Sequence, residues 1–156
     1  MKKSLLAIFI LSIGLVGCGG GDGSSTSDPA TSTEKPQSMI KKAVDPMLDK
    51  GVGPITSLTL DPVIDQEMAA RGAETYQKMC TACHKPTEKF IGPAPKGVLT
   101  RRSPEWVMNM ILNPDEMVKE NAQAKKLLME YNGSPMANQN LTEVEAREVL
   151  EYFRTL

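Results

Sequence analysis

A chain of 156 residues with 18 basic and 19 acidic side chains, formal charge −1, has no basic field to offer a nucleic acid, and that class of partner is set aside. Aromatic residues are only 4%, so carbon for a core is scarce. A small domain made from it folds marginally unless a large apolar cofactor completes the interior.

Residues 1–17 open with Lys2 and Lys3, followed by an apolar run over residues 5–16. That run falls well under the roughly 20 residues a membrane-spanning helix needs, and a basic start with a uniformly apolar core is the pattern of an export signal. Losing it removes two lysines and makes the remaining chain more acidic. In an oxidising compartment an unpaired thiol is normally avoided, so Cys18 needs an explanation. Leu15-Val16-Gly17-Cys18 resembles the lipobox of bacterial lipoproteins, which implies that Cys18 is acylated with diacylglycerol and becomes the first mature residue. Gly19 stands where such proteins carry an Asp for inner-membrane retention, so the resemblance implies a periplasm-facing anchor, with the outer membrane favoured.

Residues 18–45, rich in Gly, Ser, Thr and Pro, have little apolar surface to offset the entropy of ordering and read as a flexible tether. Residues 46–64 carry three prolines and two glycines and form an extended N-terminal arm, in which residues 55–60 alternate as a short strand or simply an extended piece would. Helical signals follow. The first runs over about residues 65–83, with Asp65 as its cap and Met68, Ala69, Gly72, Tyr76 and Met79 at helical spacing. The second opens at Ser103-Pro104-Glu105 and stops before Asn113-Pro114. A third, broken segment spans about residues 115–131 and ends at Gly133, a left-handed terminator. The last starts with a Thr142/Glu145 capping box and buries Ala146, Val149, Leu150 and Phe153. Residues 65–156 are therefore expected to be an all-α domain, without the alternating strands of an α/β fold.

One stretch carries chemistry. In Cys80-Thr81-Ala82-Cys83-His84 the two thiols lie one helical turn apart and emerge on one side, as addition across the two vinyl groups of a haem requires, and the imidazole follows at once. Cys-x-x-Cys-His is the attachment signature of haem c. A thioredoxin-like dithiol also uses two cysteines at this spacing, but after a strand in an α/β unit. Structural zinc wants four ligands, generally as two separated pairs, and no second pair exists here.

With these residues in view, residues 65–156 resemble class I c-type cytochromes, the small monohaem electron carriers. Gly72 and Tyr76 stand two turns and one turn before the first haem cysteine, where that family has a Gly and an aromatic, and Leu150 and Phe153 resemble its partners on the last helix. Gly92-Pro93 resembles the turn below the haem. The resemblance implies a helical domain wrapped around one haem c held by Cys80 and Cys83. It implies that His84 ligates the iron and that the carbonyl of Pro93 accepts a hydrogen bond from the other ring nitrogen. Met136, after Ser134-Pro135 in the loop before the last helix, is implied as the sixth ligand, while Arg101, Arg102 and the indole of Trp106 are implied as neighbours of the propionates.

The implied function is electron transfer, not enzymatic catalysis, between a redox donor and an acceptor in or near the membrane, with no small-molecule substrate. Between residues 76 and 102 six basic side chains face one acidic one, a dipole able to steer such a partner. Motif order also resembles lipoprotein cytochromes of anaerobically respiring bacteria that serve terminal oxidases or nitrous oxide reductase. Two other readings stay open: an open-site haem protein acting as gas sensor or peroxidase, and a fixed cytochrome subunit of a respiratory complex.

Overall fold

The computed structural model describes residues 44–156; the signal segment, Cys18 and the tether through residue 43 lie outside the described residues. Asp65 accepts the Met68 N–H at 2.9 Å and starts α1, Gln66–Met79. The helix stops four residues short of the expected end. Cys80 still donates to the Tyr76 carbonyl, but Cys83 and His84 both turn back onto the carbonyl of Cys80, at 3.1 and 2.9 Å. The attachment motif is thus a tight turn continuing from the helix.

Ser103 caps α2, Pro104–Leu112, by accepting the Trp106 N–H at 3.1 Å, with Pro104 in the first position, where its missing N–H costs nothing. Pro114 then opens α3, Pro114–Glu120, and Asn121 caps α4, Ala122–Glu130. The broken third segment therefore resolves into two helices parted at Asn121. At the end of α4 the left-handed residue next to the helix is Asn132, at φ +59°, with Gly133 following at +73°. Gly133 N–H reaches the Leu128 carbonyl and Asn132 N–H the Met129 carbonyl, the paired bonds of a Schellman cap. The Thr142/Glu145 capping box starts α5, Glu143–Phe153, as expected.

α1 crosses α5 at Gly72, where a Cβ would run into the Glu148 carbonyl and meet the Val149 nitrogen. Only a glycine permits that approach. Tyr76, one turn later, packs against Tyr152 and edge-on against Phe153, with centroids 5.3 and 5.8 Å apart. Trp106, Val107 and Ile111 of α2, Met117 of α3, Ala124 of α4 and Val149 and Leu150 of α5 form one core. Among the described residues there is no strand and no helix long and apolar enough to cross a membrane.

The arm is not a strand. It lies on α2 and α3, and Ile55 enters the core. Buried Asn109 accepts the Ile55 N–H and donates to the carbonyls of Lys50 and Ile55, all at 2.9 Å. Its amide thereby replaces a neighbouring strand as the partner of arm backbone. At the far end, Glu151 accepts the Asp65 N–H at 2.9 Å and Arg154 donates to the Asp61 carbonyl at 2.6 Å.

Candidate functional site

The core is open on one side as a cleft whose walls come from each of α1 to α5: Tyr76 and Met79 from α1, Trp106 and Met110 from α2, Val118 from α3, Ala124 and Leu127 from α4, Val149 and Phe153 from α5. Cys80, Cys83 and His84 lie on its floor, and the loop of Ser134, Pro135 and Met136 on its rim.

Three contacts hold His84. Its N–H bonds the Cys80 carbonyl at 2.9 Å, and its own carbonyl accepts the Tyr76 hydroxyl at 2.9 Å. Its ring Nδ1 lies 2.8 Å from the Pro93 carbonyl, to which Nδ1–H donates. That bond assigns the tautomer and leaves Nε2, made more basic, without a proton and able to bind a metal. Gly92 fits against the imidazole so closely that a Cβ there would overlap the ring. Its N–H also closes the loop onto the Cys83 carbonyl at 2.8 Å. Burial pushes the Tyr76 hydroxyl up to about 12, with smaller effects from Cys80 and Tyr152, so it remains a donor throughout the neutral range.

Cys80 and Cys83 are free thiols. Burial, aided by Cys83 beside it, pushes the Cys80 thiol up to about 11. A dithiol oxidoreductase needs the opposite, a thiol whose pKa is lowered to make thiolate. Among the described residues no group of three or more His, Cys, Asp or Glu gathers as a metal site. An apolar cleft with two thiols one turn apart and one oriented imidazole on its floor fits a haem attached through Cys80 and Cys83.

Of the methionines, Met79, Met110 and Met136 line the cleft. Met108 and Met117 are core, and Met129 is 72% exposed away from it. Arg101 lines the cleft too, but its guanidinium is tied to the carbonyls of Lys96 and Ala94, at 3.0 and 3.1 Å. Arg102 donates to the Arg101 carbonyl and lies 5.1 Å over the Trp106 ring. The Trp106 N–H, the ring's one donor, goes to Asn121 at 3.2 Å. Tyr76 as the clamp on His84, Gly92 as the surface beneath its ring, and Asn121 as the partner of Trp106 were not foreseen as site residues. Gly92 was legible in the Gly-Pro pair; Asn121 had no sequence signal beyond its capping position.

The family model described as cytochrome c matches residues 69–156. Among solved structures, a cytochrome c from Rhodothermus marinus is 41% identical over 66% of this chain and 88% of that one, with a TM-score of 0.64. An engineered cytochrome c from Rhodothermus marinus is 40% identical over 66% and 89%, with a TM-score of 0.63. A cytochrome c domain from Pseudomonas putida is 26% identical over 54% and 85%, with a TM-score of 0.51. No curated protein sequence matches.

Proposed function

Because the chain belongs to the cytochrome c family and takes one haem c through Cys80 and Cys83, we propose that it is a membrane-anchored respiratory electron carrier whose iron is held between His84 and Met136. The observation that carries this reading is the His84 Nδ1 to Pro93 bond of 2.8 Å in a cleft that also contains the Met136 side chain. A bound haem would supply one-electron chemistry, and a methionine sulfur as ligand would favour the ferrous state.

The protein's own residues supply rigidity and access. Tyr76 and Cys80 hold the His84 backbone and Pro93 holds its ring, so the imidazole is set in one orientation. Met136 is preferred over Met79 and Met110 because those stand on α1 and α2, whereas Met136 lies in the loop before α5. Ile111, Leu127 and Val149 make the walls of the cleft apolar.

A rim of exposed Lys85, Lys89 and Lys96 follows the attachment motif, with Lys85 5.2 Å over Phe90 and Lys89 4.3 Å over Tyr131. Such a rim suits an acidic redox partner, and a terminal oxidase or nitrous oxide reductase is the acceptor we favour. Acylated Cys18 and the tether of residues 18–45 hold the domain at a membrane facing the periplasm, the outer one by the Gly19 criterion. Carbon monoxide binding to the reduced protein tests the closed His84/Met136 site.

A further inference from the structure

Asn121 does more than cap α4. Its Oδ1 accepts the Ala124 N–H at 2.9 Å and the Trp106 indole N–H at 3.2 Å. Its Nδ2 donates to both carboxylate oxygens of Asp49, at 3.0 and 2.8 Å. Asn121 is 8% exposed and Trp106 is 3% exposed, so the chain runs from a half-buried arm carboxylate to a buried indole. Asp49 reaches the other wall as well: its carbonyl accepts the Ser103 hydroxyl at 2.6 Å, and Ser103 is the cap of α2. One arm residue therefore contacts the N-caps of both α2 and α4, and each of these helices lines the cleft.

The order of the bonds matters. An amide that donates to a carboxylate is polarised, and its oxygen becomes a stronger acceptor for the indole. Arg102 covers the indole face, so Trp106 is fixed by an in-plane hydrogen bond and a cation over its ring. A carboxylate charge beside a buried wall is screened less than one in water.

We propose that Asp49 is a positioning residue for the haem site: through Asn121 it sets the Trp106 indole in the cleft wall, and its charge biases the bound cofactor toward the ferric state. The arm is then part of the redox site and not only a strap over the fold.

The test is a redox titration of the haem-loaded full chain, with the indole N–H proton resonance recorded in the reduced state. Trp106 is the only tryptophan, so that resonance is unambiguous. Asp49→Asn removes the charge but keeps a group able to bond Asn121; it should shift the oxidised-to-reduced ratio at a fixed potential toward ferrous by about threefold or more. Asp49→Ala should do the same and also move the indole resonance. Ile55→Ala, which loosens the arm through the core without touching the relay, should lower the Tm and leave both readings at their wild-type values.

Wild-type potential and an unmoved indole resonance in both Asp49 variants would overturn the proposal, as would an equal displacement of both readings by Ile55→Ala. Should Asp49→Ala fail to fold, Asp49→Asn decides alone, because its shift requires no loss of structure. The visible haem band reports loading separately, so a failure to attach cofactor is not confused with either result.

Discussion

The Nδ1 of His84 lies 2.8 Å from the carbonyl oxygen of Pro93, and Gly92, the residue before that proline, packs against the same ring. Orientation and basicity of this imidazole therefore depend on one turn. Gly92→Ala places a methyl group where the imidazole stands, an overpacking worth about 1–3 kcal/mol, and forces the ring off Pro93. The expected outcome is a lower Tm in the haem-loaded protein and, with a less basic imidazole, a higher reduction potential. Thermal unfolding and a redox titration check the two effects separately.

Gly72 is the second position where a single carbon is too many. Its Cβ would overlap the Glu148 carbonyl on α5, which is backbone and cannot swing aside. Gly72→Ala is expected to destabilise the domain by about 3 kcal/mol, at the upper end of overpacking costs, whereas Gly133→Ala, with nothing nearby, meets only its positive φ. Denaturant melts of the two variants should separate packing from backbone strain.

Local signals account for most of what was legible in the sequence. Capping residues placed the starts of α1, α2 and α5, because a cap acts within three residues. The α1/α5 contact was implied by the cytochrome resemblance, with Leu150 and Phe153 as partners; Phe153 does pack on Tyr76, but Gly72 meets the Glu148–Val149 backbone and Tyr152 joins at Tyr76. The end of α1 was misplaced because the attachment motif has helical spacing yet closes as a turn on the Cys80 carbonyl. Asn132 was missed as the left-handed cap because the neighbouring glycine carries the stronger signal. What no local pattern encodes is the arm: Asn109 bonds residues 54 and 59 positions away, and Asn121 bonds Asp49 across 72. Polar side chains that satisfy distant backbone leave no periodicity behind.

Acid stability should depend on Glu151, which is 1% exposed. Burial alone would raise its carboxyl, but the Asp65 N–H and the side chains of Arg147 and Arg154 outweigh that and hold it below the ordinary range. A carboxyl lowered by folding contributes stability above its unfolded value of about 4.3 and loses it as the pH falls further. Glu151→Gln should therefore cost about 3–5 kcal/mol at neutral pH, the usual result of removing one member of a buried ion pair. It should also flatten the decline of stability below pH ~4. Urea melts across an acid pH series give both numbers.

Charge around the cleft predicts a kinetic sign. With Lys85, Lys89 and Lys96 exposed near the motif, reaction with a small anionic oxidant should slow as salt is added, since attraction is screened over about 8 Å at physiological ionic strength. Lys85→Glu with Lys89→Glu should weaken or reverse that dependence. Stopped-flow oxidation of the reduced protein over a salt series reads the slope directly.

In the proposed account Cys18 is the anchor. Cys18→Ser should move the protein from the detergent-extractable membrane fraction into the soluble periplasmic fraction without changing its haem spectrum, and fractionation with haem staining follows it.

The central claim is a closed site between His84 and Met136, and the most direct measurement is the optical spectrum of the reduced, haem-loaded protein before and after carbon monoxide, beside Met136→Ala. An unchanged wild-type spectrum with a responsive variant is the predicted result. A wild type that binds carbon monoxide as readily as Met136→Ala would contradict the closed site and turn the assignment toward a gas-binding or peroxidase haem.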